Sequence, residues 1–385
     1  MRKRIGIIGD GQLGMLLCEA APALDLETVM LTGDARCAAA RRAGTAIEGA
    51  MDDGPALARL IDSSDVITYE REDLPPATVA ALRAAEARGA VRCFPSLTCI
   101  EMLQNKVLQK RWYAQQDLAT LPFAIVDGSA ASLAQAAERL GFPLVQKAAR
   151  GGFDGRGVQL LRNERDLAEK AWPGETVAEQ YAGAFREIAV LVVRAGDGDR
   201  RHFGPVAMTF ETEYSVLDTV CVPADTDSAI HDAAVDLACR AIEAMDGIGV
   251  FGVELFVLAD GRVLINEISP RVHNAGHYTL EACASSQFEQ HLRAVAGLPL
   301  AATDLRHPAA MKNILCTEAL LHEGRERDAG RNLQPDGAAV YWYGKSPARL
   351  MRKLGHITAT GEDAPSALAI AESHWQNLQK EAASA

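Results

Sequence analysis

The sequence predicts an α/β protein with α+β features. Three observations support this fold class: a short apolar strand leads into a glycine-rich turn and a helix at the N-terminus, further strands and helices follow along the chain, and two apolar runs flank Asp260-Gly261. The strand, turn and helix at the start are typical of dinucleotide-binding folds. An Asp-Gly pair between β-rich runs is the strongest short-range signal for a β-hairpin.

The size and charge of the chain limit its function. Its 385 residues can form two or three domains, and a net charge of −12 without a long basic run argues against nucleic acid as a partner. The eight cysteines form no CxxC pair and no zinc-type cluster with histidine, so we expect reduced thiols in the cytoplasm. Residues 1–4 lead straight into a strand rather than a signal peptide, and no apolar run approaches the length of a membrane span.

The N-terminal part of the chain carries the strands of the dinucleotide-binding type. We predict a helix from Met15 to Ala23 and strands at residues 4–8, 27–31, 64–69 and 89–94. Glu70 and Glu72 follow the third of these strands, at the carboxyl end where open α/β sheets bind ligands.

Further elements follow in the middle and C-terminal parts. A helix from Leu97 to Gln115 carries Lys106 and Lys110 one turn apart, and a shorter β-containing unit begins past Pro308. The remaining predicted elements are helices at 132–140, 232–245 and 280–296, and strands at 142–147, 158–161, 175–179 and 186–193.

The hairpin around Asp260-Gly261 places two acids face to face. If these two residues form a two-residue turn, Leu258 pairs with Val263 and the ladder continues until Glu254 lies opposite Glu267. The two Cβ atoms would then be about 5 Å apart, and like charges in that position are destabilising. Some other group must offset their repulsion.

A divalent cation would offset this repulsion. Mg²⁺ prefers oxygen ligands and is commonly held by one or two carboxylates together with substrate phosphates, and Asn266 could add another oxygen. Alternatively, one glutamate is protonated, or Arg271 pairs with one of them. The polar loop that follows the hairpin favours a functional site; it contains Arg271, His273, Asn274 and His277.

Two glycine-rich segments are candidates for binding phosphate. The turn at residues 9–14 could admit a phosphate at a helix N-terminus, and with Asp34 as the ribose-binding acid it would indicate a nicotinamide-dependent dehydrogenase. Alternatively, its glycines serve only helix–strand packing. The loop at residues 151–157 is preceded by Lys147 on a predicted strand, and its backbone N–H groups could form an anion nest, although a flexible hairpin tip is the alternative. Phosphate ligands together with a carboxylate pair indicate ATP-dependent phosphoryl transfer with Mg²⁺.

Five motifs, in this order, resemble the ATP-grasp superfamily and, within it, the N5-carboxyaminoimidazole ribonucleotide synthetase family. They are residues 11–14, 68–72, 151–157, 266–277 and 286–293. The resemblance implies an ATP-grasp fold with a Rossmann-like pre-ATP-grasp domain at 1–96, a small subdomain with the phosphate loop at 97–182, a large subdomain with the carboxylate hairpin at 183–304, and a C-terminal domain at 305–385.

The resemblance also implies an activity. It is the ATP- and bicarbonate-dependent carboxylation of aminoimidazole ribonucleotide through carboxyphosphate, with Mg²⁺ or Mn²⁺, by a cytoplasmic homodimer that has a small-molecule substrate and binds neither nucleic acid nor membrane. Alternative hypotheses are an ATP-grasp ligase with another amine acceptor, the dehydrogenase, and a nucleotide-binding regulatory protein without activity.

The family pattern implies a role for each matching residue. Catalytic roles fall on Arg271, Asp154, Arg156, His273 and Lys353, and metal binding on Glu254 and Glu267. The nucleotide would contact Lys106, Lys147, Gly152, Phe153, Asp154, Gly155, Arg156, Gly157, Val158, Glu179, Gln180, Tyr181, Ala182, Glu187, Asn266 and Glu267. The ribonucleotide would contact Gln12, Leu13, Glu70, Asn274, Lys345 and Arg352.

Three departures from the family pattern lie where bicarbonate and the acceptor would bind. Phe153 stands where the family usually has Tyr, and Thr209-Phe-Glu211 stands where it has Asn-x-His. At residues 349–356 the basic residues of the family's Arg-Pro-Gly-Arg-Lys-Met-Gly-His are kept, but its Pro-Gly turn is replaced by Leu-Met. These departures favour the hypothesis that another amine is the acceptor.

Overall fold

A computed structural model describes residues 2–152, 157–325 and 327–384, and it contains three sheets. The predicted α/β fold class is confirmed. The predicted phosphate-loop residues Phe153, Asp154, Gly155 and Arg156 lie outside the described residues. The strands are β1 (Lys3–Ile8), β2 (Leu26–Thr32), β3 (Thr45–Glu48), β4 (Val66–Tyr69), β5 (Arg92–Cys93), β6 (Phe123–Val126), β7 (Leu144–Ala148), β8 (Val158–Leu161), β9 (Thr176–Gln180), β10 (Phe185–Arg194), β11 (Arg200–Phe210), β12 (Leu217–Val222), β13 (Gly249–Leu258), β14 (Val263–Ser269), β15 (Ala309–Leu315), β16 (Gly330–Leu333), β17 (Ala339–Trp342) and β18 (Lys353–Thr360).

Helices connect and cover these strands. They are α1 (Gln12–Ala20), α2 (Gly54–Asp62), α3 (Pro76–Ala87), α4 (Leu97–Leu103), α5 (Lys106–Gln115), α6 (Ala130–Leu140), α7 (Glu164–Lys170), α8 (Ser228–Ala244), α9 (Thr279–Ala282), α10 (Gln287–Ala296), α11 (Glu318–Glu323) and α12 (Ala364–Ser384). Within the described residues, no helix is both long enough and apolar enough to cross a membrane. All eight cysteines are free thiols, as predicted.

The N-terminal sheet is parallel, in the order β3-β2-β1-β4-β5. Its strands lie between helices, so β1 and β4 are buried along nearly their whole length, as parallel strands usually are. Glu70 and Glu72 follow β4 at the carboxyl edge, as expected. The predicted strand at 89–94 is shorter, because the N–H groups of Gly89 and Ala90 close the end of α3 instead.

The second sheet is a small antiparallel one in the order β6-β9-β7-β8. It carries Lys147 on β7, and the segment that contains the predicted phosphate loop connects β7 with β8. The helix α6 covers one face, where Leu133 and Leu140 pack with Leu144 of β7.

The third sheet is antiparallel and has nine strands in the order β14-β13-β10-β11-β12-β15-β18-β17-β16. Side chains alternate across β10, so Ile188 and Val190 share a core with α8, whereas Ala189 and Leu191 share another with α10. The C-terminal strands continue the same sheet, because β12 pairs with β15. The predicted domain boundaries remain predictions.

The hairpin between β13 and β14 has a three-residue loop rather than the predicted two-residue turn. The N–H of Gly261 donates to the carbonyl of Leu258 (3.0 Å), and Gly261 has a φ of 84°. Such a loop pairs Val257 with Val263, so the predicted pairing of Leu258 with Val263 is wrong.

A bulge restores the predicted pairing further along the ladder. Leu255 pairs with Ile265, Asn266 is the extra residue, and Glu254 then pairs with Glu267 as predicted. Next to the bulge, Ile265 also contacts a second neighbour, since its N–H donates to the carbonyl of Ala119 (2.8 Å).

The predicted helix from Leu97 to Gln115 is two helices, α4 and α5. The side chain of Asn105 accepts hydrogen bonds from the N–H groups of Val107 (2.9 Å) and Leu108 (3.3 Å), which begins a new helix at Lys106. The Lys106 N–H donates to the carbonyl of Ala149 (2.8 Å), so this break fixes the start of α5 against the end of β7. The predicted helix at 280–296 is likewise two helices, because Ser286 caps α10.

Candidate active site

Two lysines converge on two neighbouring residues of β14, Asn266 and Glu267, at the edge of the nine-stranded sheet. The Nζ of Lys106 pairs with the Glu267 carboxylate, and the Nζ of Lys147 donates to Oδ1 of Asn266 (2.8 Å). Burial alone would lower the pKa of Lys106, but the Glu267 carboxylate raises it above the ordinary value. The structure therefore brings together the predicted phosphate lysines and the predicted metal-binding strand.

Cationic and polar side chains offset the repulsion between the facing glutamates. Nε2 of His273 lies 3.2 Å from Oε1 of Glu254, while Nδ1 of His273 accepts the N–H of Ala275 (3.3 Å), so the ring proton lies on Nε2. Burial would raise the pKa of Glu254, but His273 and Lys106 lower it below its ordinary value. The suggestion that Arg271 pairs with one of these glutamates is wrong, since Arg271 pairs with Glu72.

The donor set of this pair fits Mg²⁺. Glu254, Glu267 and Asn266 offer carboxylate and amide oxygens, which are the ligands that Mg²⁺ prefers. Among residues 2–152, 157–325 and 327–384, no three His, Cys, Asp or Glu side chains cluster as a complete metal site. The remaining ligands would be phosphate oxygens and water, as is common for Mg²⁺.

The end of β9 holds a buried carboxylate between two lysines. Oε1 of Glu179 lies 2.5 Å from Nζ of Lys110, and Oε2 lies 2.7 Å from Nζ of Lys147. Burial would raise the pKa of Glu179, but the two ammonium groups hold it at about 2. Both carboxylate oxygens of Glu179 are thus engaged by lysines.

Residues 180–182, which the family pattern places at the adenine hinge, are held through their own backbone. The N–H of Gln180 donates to the carbonyl of Pro122 (2.9 Å), and that of Tyr181 to the carbonyl of Pro143 (3.3 Å). The side chains of Gln180 and Tyr181 are exposed, and Ala182 packs on an apolar cluster of Leu121, Phe256 and Leu264.

Glu187 lies on β10, two residues from the position opposite Glu254. Burial, reinforced by the charge of Glu254, raises the pKa of Glu187 to about 7. A carboxyl group with this pKa is close to half protonated at neutral pH. It can therefore donate a hydrogen bond to a hydroxyl group, such as that of a ribose, or accept one from it.

The ends of the phosphate loop lie close together. A Cβ on Gly157 would lie 3.0 Å from the Cα of Gly152, and the carbonyl of Gly157 accepts the N–H of Ala148 (2.9 Å). Val158 then begins β8 with its side chain exposed. Glycine at position 157 is needed for both the close approach and its φ of 73°.

The N-terminal glycine turn does not present free N–H groups to a phosphate. The Glu70 carboxylate accepts the N–H of Gly11 (2.8 Å) and of Gly14 (2.6 Å) at the start of α1. A Cβ on Gly11 would lie 2.1 Å from Oε1 of Glu70, so glycine is required for this contact. The Asp34 carboxylate accepts a hydrogen bond from the N–H of Arg36 and forms an ion pair with the Arg36 guanidinium. An anionic dinucleotide would therefore meet an acid at this turn, which argues against the dehydrogenase hypothesis.

Three predicted ribonucleotide residues surround this carboxylate. Nζ of Lys345 donates to Oε1 of Gln12 (2.6 Å), and its charge partly offsets the effect of burial, which raises the pKa of Glu70. Leu13 is buried in α1 beside them.

The loop after β14 is fixed by partners on other elements. Arg271 donates to both oxygens of Glu72 (2.5 and 3.2 Å), and the side chains of Asn274 and Asn313 form two reciprocal hydrogen bonds (3.1 and 2.8 Å). Burial would raise the pKa of Glu72, but the Arg271 guanidinium lowers it to about 2.

Two further predicted site residues lie at the start of β18. Burial and the neighbouring imidazoles lower the pKa of the buried His277 ring. Lys353 lies close enough to add a smaller effect in the same direction. Arg352 instead donates to the carbonyl of Pro347 in its own loop (2.6 Å).

Comparison with known proteins identifies the family. Residues 1–104 match the ribonucleotide synthetase preATP-grasp domain, residues 111–288 the ATP-grasp domain, and residues 309–370 the phosphoribosylaminoimidazole carboxylase C-terminal domain. The chain is 36% identical to the N5-carboxyaminoimidazole ribonucleotide synthase of Synechococcus elongatus, over 97% of this chain and 96% of that protein. It is 36% identical to the phosphoribosylaminoimidazole carboxylase of Ogataea methanolica over 93% of this chain, but spans only 66% of the length of that protein.

Solved structures support the same family assignment. The N5-carboxyaminoimidazole ribonucleotide synthetase of Thermotoga maritima superposes with a TM-score of 0.84 at 34% identity, covering 97% of this chain and 98% of the other. The Aspergillus clavatus synthase in complex with ADP and 5-aminoimidazole ribonucleotide superposes with a TM-score of 0.85 at 31% identity, covering 100% and 99%. This chain belongs to the N5-carboxyaminoimidazole ribonucleotide synthase family.

The second departure from the synthase family pattern, at Thr209 and Glu211, has a local structural explanation. The hydroxyl of Thr209 pairs with that of Thr219 on the adjacent strand, and the Glu211 carboxylate accepts the N–H groups of Glu213 (2.9 Å) and Tyr214 (2.7 Å). Both side chains are thus engaged by their own strand and turn.

The third departure is smaller than the sequence suggests. The N–H of Arg352 donates to the carbonyl of Arg349 (2.9 Å), so a tight turn forms even though the synthase family's Pro-Gly is missing. Met351 takes the glycine position with a φ of 60°, a conformation that is strained for a side-chain-bearing residue. The expectation that this turn is lost is wrong.

Sequence reasoning left three site residues without a role. The sequence indicates Lys110 only by its spacing from Lys106, and Glu72 only by its motif and its place after a strand, and it does not single out Asn313. The spacing of Lys110, one helical turn from Lys106, was the available signal.

Proposed function

We propose that this chain uses ATP and bicarbonate to carboxylate the exocyclic amine of 5-aminoimidazole ribonucleotide, giving N5-carboxyaminoimidazole ribonucleotide. The observation that carries the proposal is the contact of Lys106 with Glu267 and of Lys147 with Asn266, in a chain of this synthase family. These contacts support the proposal, because they bring two lysines that could bind phosphate next to carboxylates that could hold Mg²⁺.

Nucleotide binding would use residues of both the small sheet and the nine-stranded sheet. Lys106 and Lys147 would contact the phosphates, the backbone of residues 179–182 the adenine, and Glu187 the ribose. Glu254 and Glu267 would hold Mg²⁺, which supplies charge neutralisation on the transferring phosphoryl group when bound. The lysines would orient the γ-phosphate toward the loop that carries Arg271.

Carboxylation then needs two steps. A bicarbonate oxygen attacks the γ-phosphorus and displaces ADP, giving carboxyphosphate. The amine nitrogen attacks the carboxyl carbon of this species, or of CO₂ released from it; a C–N bond forms, phosphate departs and the amine loses a proton. Arg271 and Lys353 would neutralise the carboxylate charge, and Arg271 is prepared for this by its bidentate pair with Glu72.

The acceptor would lie on the N-terminal side of the cleft. Gln12 accepts a hydrogen bond from Lys345 there, the charge of Lys345 acts on Glu70, and Asn274 is held by Asn313. A second candidate function, ligation to a different amine, is favoured by Glu211, because an acid stands where the family pattern has an imidazole.

Phosphate release from ATP tests the proposal. We expect turnover that requires 5-aminoimidazole ribonucleotide and bicarbonate together, and the product should carry the bicarbonate carbon. Turnover only with another amine would establish the second candidate instead. Nucleotide binding without turnover on any amine would support the regulatory alternative. Light scattering of the purified chain tests the proposed homodimer.

A further inference from the structure

Lys110 is a buried lysine that the reaction above does not use. Its side chain is 3% exposed, and its Nζ lies 2.5 Å from Oε1 of Glu179 and 2.5 Å from Oγ1 of Thr120. The rings of Tyr113 and Phe123 enclose the ammonium group. A charged lysine in so enclosed a position is costly unless it has a specific partner.

The partners of Lys110 connect the hinge with the metal-binding strand. Glu179 lies near the end of β9 and also pairs with Lys147 (2.7 Å). Thr120, which accepts from Lys110, donates to the carbonyl of Ile265 on β14 (2.8 Å). Lys110 thus lies at the centre of a buried network that joins β9 of the small sheet to β14 of the nine-stranded sheet.

Lys147 has two competing engagements in this network. It pairs with Glu179 and also donates to Asn266, yet it is the lysine that would contact a nucleotide phosphate. If Lys147 moved to a phosphate without any other cation near Glu179, a carboxylate that is 1% exposed would lose its only counter-charge, which is strongly unfavourable. Lys110 supplies the second counter-charge.

We propose that Lys110 is a positioning residue for nucleotide binding: it keeps Glu179 ionised and in place, so that Lys147 can exchange its contact with Glu179 for one with a phosphate. Lys110 is enclosed by protein and acts through Glu179 rather than by touching the substrate. The inference rests on the proposed role of Lys147 in binding ATP.

The Lys110→Met variant tests this exchange. Without Lys110, Glu179 binds only Lys147, so the KM for ATP should rise at least about tenfold while kcat at saturating ATP changes less than about threefold. The Lys110→Arg variant should retain most of the affinity, because it keeps the charge. The neighbouring Arg111→Met is the matched control, since Arg111 forms an exposed pair with Glu175 (3.0 Å) and should leave the KM unchanged.

A double variant separates positioning from simple structural support. Lys110→Met with Glu179→Gln removes both charges and releases Lys147, so ATP affinity should recover to within about threefold of wild type. If the two losses add instead, Lys110 only supports the fold and the proposal is overturned. If Lys110→Met does not fold, Glu179→Gln alone decides: ATP affinity equal to or better than wild type supports the exchange, and a tenfold loss overturns it.

The Lys147→Met variant separates the role of Lys147 in nucleotide binding from the role of Lys110. It should weaken ATP binding regardless of Lys110. If Lys147→Met binds ATP like wild type, the nucleotide assignment itself fails. If Lys147→Met is impaired but Lys110→Met behaves like Arg111→Met, the nucleotide site stands and the Lys110 inference falls.

Discussion

Glu254 and Glu267 lie directly opposite each other on neighbouring antiparallel strands, and each is contacted by a basic side chain, His273 and Lys106 respectively. This arrangement keeps two acids together in a largely buried place. It also means that Lys106 and Mg²⁺ would both bind the Glu267 carboxylate.

The first prediction concerns the metal. Replacing Glu267 with Gln removes one charged oxygen ligand, so we expect Mg²⁺-dependent ATP hydrolysis to fall by at least about a hundredfold. Phosphate release measured across a Mg²⁺ series is the test. Asp260→Asn at the exposed tip of the same hairpin is the control and should be neutral. A Glu267→Gln variant with the wild-type rate would remove the metal assignment.

The second prediction concerns the Glu72–Arg271 pair. In Glu72→Gln the guanidinium loses its charged partner, so kcat/KM for the acceptor should fall by about tenfold or more, while the KM for ATP changes little. The neighbouring Asp73→Asn is the control, because Asp73 forms an exposed pair with Arg71. Equal effects of the two variants on the acceptor would show that Glu72 does not position Arg271.

The same pair predicts a pH dependence of stability. The pKa of Glu72 is lowered from 4.5 to about 2 in the folded chain. A lowered pKa contributes stability that is present above 4.5 and is lost as the pH falls toward 2. The difference in the free energy of unfolding between wild type and Glu72→Gln should therefore be large at pH 7 and shrink at pH 3. Urea unfolding at the two pH values measures it, and a constant difference would contradict the assignment.

The hairpin shows how far the sequence alone could predict this site. The facing of Glu254 and Glu267 was predicted correctly, although the loop length was wrong, because a bulge at Asn266 cancelled the error. Beside the bulge, the N–H of Ile265 donates to the carbonyl of Ala119, which lies far away in the chain. Local turn propensity contains no information about such a contact.

The partners of the site residues were predictable only in part. Strand, turn and helix patterns placed Glu70 at the correct edge of the sheet, since that edge follows from the order of elements. They did not show that Glu70 itself occupies the glycine turn, because a carboxylate and a phosphate suit the same N–H groups. Lys110 was missed for a similar reason: its charge suggests exposure, and only the fold brings Glu179 against it.

The third prediction concerns this glycine turn. In Gly11→Ala the new Cβ would lie 2.1 Å from Oε1 of Glu70, so the carboxylate must move. We expect the chain to lose about 1–3 kcal/mol of stability and the KM for the acceptor to rise, with the KM for ATP unchanged. Gly54→Ala is the control, since a Cβ there meets nothing within 4 Å. Thermal melting and acceptor titration measure both effects; an unchanged acceptor KM would exclude Glu70 from that site.

The last prediction concerns Glu187, whose pKa is raised from 4.5 to about 7 by burial and by Glu254. A raised pKa means that the folded chain binds the proton more tightly than the unfolded one, so the stability it provides is fully present below 4.5 and is lost as the pH rises through 7. Glu187→Gln mimics the protonated form at every pH. It should therefore match wild type near pH 4.5 and be more stable at pH 8, by no more than about 3 kcal/mol.

Urea unfolding of both proteins at the two pH values provides the measurement, with Glu213→Gln as an exposed control that should show no such difference. Adding ATP to the same experiment tests the proposed ribose contact. If Glu187 accepts a ribose hydroxyl only as the carboxylate, ATP binding by wild type should tighten from pH 6 to pH 8, and binding by the variant should not. A pH-independent ATP affinity in wild type would exclude a ribose contact that only the Glu187 carboxylate can make.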